Sequence, residues 1–187
     1  MSPVIILVIV LVVLLLIGAF LGATYNSLVK LRNTVDEAFA TMDVYLKKRW
    51  DLIPNIVSSV KGYAAHEAQT LEKVISARNA RYQDMSDEDK IAANAELSRG
   101  LQSLNFVAEQ YPDLKANQNF IDLNRQLEKT EEDIANARKY YNAVVKSYNN
   151  KTQMFPSSIV ASMFNFKGRQ MFNVESAEQR EAVKVEF

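Results

Sequence analysis

Cysteine is absent from this 187-residue sequence, and histidine, glycine and proline are scarce, at one, five and four residues. Without cysteine the chain has no disulfide, thiol nucleophile, thiolate zinc site or lipid-modified N-terminal cysteine. Five glycines and four prolines are too few for the turns of a many-stranded sheet, whereas Ala, Leu, Glu, Lys and Gln, which favour helices, are abundant. These absences predict an all-α protein.

An excess of positive charge is also absent, because 22 Lys and Arg residues balance 22 Asp and Glu residues. Proteins that bind a phosphate backbone need a basic surface to neutralise it. We therefore expect no nucleic acid partner.

The single histidine, His66, precedes Glu67 and so resembles the start of a zinc-protease motif. That motif requires a second histidine one helical turn later, and position 70 is Thr. No nucleophile elbow, phosphate loop or dinucleotide fingerprint occurs in the sequence. His66 is therefore interpreted as a capping or surface residue.

Two acidic clusters, at 87–89 and 131–133, are typical of a helix start and of a solvated helix face. We therefore expect no catalytic residue, no metal and no cofactor, and a protein that is not an enzyme. The competing hypothesis is an enzyme whose polar pocket is assembled from distant residues: Arg49, His66, Glu109 and Tyr141.

A long hydrophobic run begins the chain. Every residue from Val4 to Ile17 is Val, Ile or Leu, and no charge occurs before Lys30. About 20 apolar residues at ~1.5 Å each match the hydrocarbon thickness of a bilayer, roughly 30 Å. The sequence predicts a transmembrane anchor over 1–24, with the lipid bilayer as a partner.

The residues on either side of this run indicate whether it is cleaved as a signal peptide and how it is oriented in the membrane. A cleaved signal peptide is disfavoured, because no basic residue precedes Val4 and the run exceeds the length of a signal core. Lys30 and Arg32 follow the run, and the positive-inside rule then favours a single-pass protein with its N-terminus outside and a cytoplasmic bundle. Gly18 and Gly22 form a small-xxx-small pair that suits a helix–helix contact in the membrane, although two tolerated glycines are the simpler interpretation.

Residues 25–155 predict a bundle of long helices. Apolar residues recur at spacings of three and four from Leu28 onward, and Pro54 predicts a kink or short break near 50–54. Ser86 predicts the cap of a second helix, which ends before Pro112. A third helix is predicted over about 113–151. Apolar or aromatic residues recur in it every seven positions, as in a coiled coil, and we call them the heptad stripe: Phe120, Leu127, Ile134, Tyr141 and Tyr148. Val144 is one of the apolar residues at the intermediate positions of this repeat. Repeats of this kind favour an elongated antiparallel bundle with slight supercoiling.

The C-terminal segment, 156–187, predicts a short helix followed by an extended tail with alternating Val183, Val185 and Phe187. Before the tail, apolar residues crowd together with few charges, and they cap the bundle core or bind a partner or a membrane surface. This candidate interaction patch consists of Phe155, Ile159, Met163, Phe164, Phe166, Met171 and Phe172.

Several long motifs occur in order along the chain. They are Tyr25-Asn26, Arg49-x-Asp51-Leu52-Ile53-Pro54-Asn55, Val60-Lys61-Gly62-Tyr63-Ala64-Ala65-His66-Glu67, Ala77-Arg78, Glu109-x-Tyr111-Pro112-Asp113-Leu114-Lys115-Ala116-Asn117 and Ala137-Arg138-x-Tyr140-Tyr141-Asn142, followed by the segment at Phe155-Pro156. These motifs make the chain similar to the LemA family of bacterial membrane proteins. The resemblance implies one N-terminal span and an antiparallel bundle at the bacterial inner membrane.

The resemblance also implies two kinds of function. Magnetosome-associated MamQ proteins look similar, which implies work in membrane organisation. Family members occur beside HtpX-type membrane zinc proteases, which implies envelope stress and a membrane protease partner. Our leading hypothesis is a non-enzymatic scaffold that forms a homo-oligomer at the membrane; the alternative is an adaptor that docks a membrane protease or receptor.

Overall fold

The computed structural model describes residues 2–63, 71–72, 74–75 and 82–172. Helices in this part of the chain are α1 (Pro3–Lys61), a 3₁₀ turn (Tyr82–Asp84), α2 (Asp87–Glu109), α3 (Pro112–Lys115), α4 (Gln118–Gln153) and α5 (Ser157–Met163). These described residues contain no strand. The predicted all-α class is confirmed, with a long apolar N-terminal helix, long helices that pack against each other and a short C-terminal helix.

The chain divides into two compact units. The first unit comprises Met1–Ala40 and Lys139–Met171, and the second comprises Thr41–Arg138 and Phe172–Phe187. The predicted boundaries at 24/25 and 155/156 remain a prediction.

In the first unit, α1 and α4 run antiparallel. The Phe39 ring lies 5.8 Å from the Tyr141 ring, and the charges that act on the Tyr148 hydroxyl include, beside that of Arg169, those of Arg32 and Asp36, earlier in α1. Segment 164–171 returns along α4, where the hydroxyls of Tyr141 and Tyr148 donate to the carbonyls of Gln170 (3.1 Å) and Lys167 (2.9 Å). Burial raises the pKa of Tyr148, which keeps this donor protonated.

In the second unit, α1 runs antiparallel to α4 and parallel to α2. Arg49 pairs with Glu131, and Tyr63, two residues after α1 ends, accepts from Asn117 at 2.9 Å, just before α4 begins. A tyrosine-centred cluster joins the 3₁₀ turn to α1 and α2: the Tyr82 hydroxyl donates to Asp43 Oδ1 at 2.6 Å, and Lys90 Nζ lies 3.0 Å from Asp43 Oδ2.

Most apolar positions predicted from periodicity are buried. All five residues of the heptad stripe on α4 are at most 7% exposed. Val144 is half-buried and Val145 is fully buried instead, as expected where 3.6 residues per turn drift away from a seven-residue repeat. Ser86 caps α2 as predicted, accepting from the Asp89 N–H at 3.1 Å.

Pro54 does not break α1, which continues to Lys61. A proline inside a helix costs about 3 kcal/mol, because a hydrogen bond is lost and the ring crowds the preceding turn. Apolar side chains on both sides of Pro54 are buried and hold the two halves of the helix in place: Ile53, Ile56, Val57 and Val60.

The single helix predicted from about 113 is wrong, because it is divided into α3 and α4. Between them Asn117 accepts from the Phe120 N–H at 3.1 Å, and this side-chain cap starts a new helix. Ala64 and the predicted extended tail at Val183, Val185 and Phe187 lie outside the described residues.

Candidate functional site

Residues of the candidate interaction patch differ widely in exposure. Phe155 is 80% exposed, Met163 63%, Ile159 and Phe164 52% each, and Met171 38%. Phe166 is half-buried. Phe172 is 5% exposed and belongs to the second unit, where the Arg138 guanidinium stacks on its ring at 4.4 Å. The members from Phe155 to Phe166 therefore lie on or next to α5 in the first unit, and Phe172 packs within the second unit.

Helix α5 is held against α1 in the first unit. Val160 and Ala161 form a buried cluster with Leu28, and Leu21 and Phe166 pack against this cluster. Around it, the ring of Tyr25 lies 4.7 Å from that of Phe164 and 5.7 Å from that of Phe166. These contacts set α5 at the level of residues 21–28 of α1.

The end of α5 is shaped by a local backbone motif. Asn165 adopts a positive φ of 56°, which asparagine tolerates better than most residues. The Phe166 N–H then donates to the Ala161 carbonyl at 2.9 Å and the Asn165 N–H to the Ser162 carbonyl at 3.3 Å. This is a Schellman motif, with the usual apolar contact between Phe166 and Ala161. It turns the chain back towards α4 and leaves Met163 exposed.

Charge is distributed unevenly along the chain. Residues 154–166 carry no charged side chain. The first unit as a whole has seven Lys and Arg residues against two Asp and Glu residues, a net charge of +5, so the neutral chain leaves −5 to the second unit. The balanced total charge of the sequence conceals this separation.

None of the residues that the structure describes covers the apolar beginning of α1. Side chains from Val4 to Ile17 are between 46% and 67% exposed. A Cβ atom added at Gly18 or Gly22 would meet nothing within 4 Å. By length and composition, this helix can cross a membrane, and in the described structure its apolar surface is open.

A buried arginine lies at the centre of the second unit. Arg49 is 1% exposed and donates to Asn94 Oδ1 and Ser98 Oγ, each at 2.7 Å. Its Nε lies 2.8 Å from Glu131 Oε1 as an ion pair, although the N–H is not aligned for a hydrogen bond. Burial lowers the pKa of Arg49 and Glu131 opposes this shift, so the guanidinium stays charged.

The side chain of Arg49 reaches a groove of about 510 Å³ between α2 and α4. Polar and apolar side chains line it, among them Gln102, Asn124, Phe120 and Leu127. The sequence contains a signal for this arginine, because position 49 continues the spacing of Met42, Leu46 and Ile53 on the buried face.

Of the four residues of the enzyme hypothesis, Arg49 and Glu109 both line the groove between α2 and α4, whereas Tyr141 belongs to the first unit. Glu109 is exposed and pairs with Lys115 at 2.7 Å, and the Tyr141 hydroxyl donates to a main-chain carbonyl in the first unit. His66 and Glu67 lie outside the described residues. Over the part of the chain that the structure describes, no group of three or more His, Cys, Asp or Glu side chains is placed to hold a metal.

These features define a class of proteins in which packed long helices follow an uncovered apolar N-terminal helix. A family model described as the LemA family matches residues 38–187, which is most of the chain. The chain belongs to the LemA family. It is also similar to Protein LemA of Metamycoplasma hominis, with 24% identity over 155 residues that cover 82% of this chain and 71% of that protein.

Proposed function

We propose that this protein is a non-enzymatic, membrane-anchored scaffold whose copies associate through their membrane helices. The uncovered apolar surface of α1 carries the proposal. A helix that is apolar on all sides needs lipid or protein around it, and the described structure supplies no covering protein. From Val4 to Ile17, insertion into a bilayer is worth about −4 to −8 kcal/mol.

Continuity of α1 supports a scaffold. The helix runs from Pro3 to Lys61 without a break, so its apolar beginning and its bundle portion belong to one element. The face of Gly18 and Gly22 is open in the described structure, and the lack of side chains there permits close approach of a second membrane helix. Lys30 and Arg32 follow the apolar segment and favour a bundle in the cytoplasm of a bacterial cell, beneath the inner membrane.

Native mass measurement on protein extracted with its surrounding lipid tests this proposal. We expect a homo-oligomer for the full chain and a monomer for a truncated chain that begins at Tyr25. A monomer in both forms would contradict self-assembly and would favour the adaptor hypothesis, in which one copy docks a membrane protease or receptor.

A further inference from the structure

We infer that the exposed end of the first unit inserts into the headgroup region of an anionic bilayer leaflet. This end is formed by Met154, Phe155, Ile159, Met163 and Phe164, and we call it the α5 surface. The inference rests on the proposed anchoring of α1, and the leaflet is the one from which α1 emerges.

The position of the α5 surface along α1 supports this assignment. About 20 residues cross the hydrocarbon core, so a span that begins near Val4 leaves it near residue 23. Helix α5 and its following turn contact Leu21, Tyr25 and Leu28, a stretch of roughly 10 Å along α1 at ~1.5 Å per residue. The headgroup layer is about 5 to 8 Å thick. The α5 surface therefore lies at the depth of the headgroups.

The chemistry of the α5 surface suits this depth. Its five side chains are each at least half exposed, which is unusual for so many large apolar residues in one place. No charged residue interrupts 154–166, and the aromatic rings of Tyr25, Phe164 and Phe166 cluster at the same level. Tyrosine is enriched where membrane proteins pass the headgroup layer, and phenylalanine is typical of the apolar face of segments that lie in it.

The positive charge of the first unit favours a leaflet that contains anionic lipid. Lys151 and Lys167 bracket the uncharged stretch, and the first unit carries a net charge of +5. Basic residues next to a membrane helix are attracted to anionic lipid headgroups.

Absence of cysteine permits a depth measurement on the full chain. Single-cysteine variants Phe155→Cys and Met163→Cys are labelled with an environment-sensitive fluorophore and reconstituted in vesicles of equal parts phosphatidylcholine and phosphatidylglycerol. Leu14→Cys reports insertion of α1, and Ser147→Cys is the matched exposed control on α4. Quenching is compared for a nitroxide lipid labelled near the headgroup end of its acyl chain, for one labelled near the methyl end, which reaches position 14 at the middle of the span, and for aqueous acrylamide.

At positions 155 and 163 we expect lipid quenching about twofold stronger, and acrylamide quenching about twofold weaker, than at position 147. Quenching by nitroxide lipid at position 14 but not at positions 155 and 163 would overturn the inference and leave the proposed anchoring of α1 intact. If nitroxide lipid did not quench the fluorophore at position 14, the proposed anchoring of α1 would itself be overturned. Protection from acrylamide without lipid quenching, together with disulfide formation between copies of the unlabelled cysteine variants in the presence of an added oxidant, would assign the surface to a second copy. Equal lipid quenching in pure phosphatidylcholine would overturn the preference for anionic lipid.

Discussion

Arg49 of α1 and Glu131 of α4 form an ion pair with 2.8 Å between Nε and Oε1, although their exposures differ. The Arg49 side chain is 1% exposed and that of Glu131 41% exposed. Exposed partners of an ion pair contribute little, because water screens them, whereas buried acceptors of a charged donor contribute more. The amide of Asn94, which is 5% exposed, should therefore stabilise the second unit more than Glu131 does.

Replacing Asn94 and Glu131 separately tests which of the two contributes more to the stability of the second unit. Asn94→Ala leaves a buried guanidinium nitrogen without its acceptor and should lower the free energy of unfolding by about 1.5–3 kcal/mol. Glu131→Gln should cost about 1 kcal/mol or less. Urea denaturation in mild detergent, followed by circular dichroism, measures both. The control is Glu132→Gln at an exposed neighbouring position, which should stay within about 0.5 kcal/mol of wild type.

Tyr82→Phe should remove a pH-dependent contribution to stability. Burial, followed by the hydrogen bond to Asp43, raises the pKa of Tyr82. Above the ordinary tyrosine pKa of about 10, the unfolded chain releases this proton while the folded chain retains it, so the contribution is complete below about pH 10 and is lost as pH rises further. The wild type should be more stable than the variant by about 1–2 kcal/mol at neutral pH.

The difference in free energy of unfolding between the wild type and Tyr82→Phe should shrink by up to about 1.4 kcal/mol per pH unit above pH ~10. Urea titrations at neutral and alkaline pH follow it. Tyr140→Phe alters an exposed tyrosine and serves as the control, and its stability should parallel that of the wild type. A constant difference between Tyr82→Phe and wild type at every pH would contradict the prediction.

Gly100→Leu should destabilise the second unit. A Cβ atom at Gly100 would lie 3.2 Å from Val74 Cγ2 and 3.6 Å from Val74 Cα, so a larger side chain has no room. We expect a loss of roughly 1–3 kcal/mol. Gly100→Ala should be much milder, because alanine favours a helix by about 0.8–1.0 kcal/mol over glycine and a methyl group of Val74 can move slightly. Ser103→Leu, at an exposed position of α2, should leave stability nearly unchanged.

Gly18→Leu combined with Gly22→Leu should lower the native mass of protein extracted with lipid. A Cβ atom at either position meets nothing within 4 Å in the described structure, so we expect these substitutions to leave the packing of the single chain intact. A reduced mass would then come from a lost contact between copies. Ala19→Leu with Ala23→Leu has the same spacing on another face of α1 and should keep the wild-type mass. Equal masses for both double variants would exclude the Gly18 and Gly22 face.

The spacing of apolar residues along the chain predicted much of the bundle but not the buried hydrogen bonds of Arg49. The heptad stripe from Phe120 to Tyr148 and the cap at Ser86 depend on residues within a few turns of each other, and both are confirmed. The hydrogen bond between Arg49 and Asn94 joins residues 45 positions apart, which periodicity does not relate. The start of α4 was missed because one side-chain cap at Asn117 outweighed a continuous apolar pattern.

By itself the sequence determined the helical class, the apolar N-terminal helix and the family motifs, because composition and periodicity act over short distances. Only the tertiary structure decided which apolar residues are covered. Phe155 is 80% exposed and Phe172 5% exposed, although both belong to one hydrophobic stretch of the sequence. The physical reason is that coverage depends on distant segments: Arg138 stacks on Phe172, and in the described structure no ring or guanidinium stacks on Phe155.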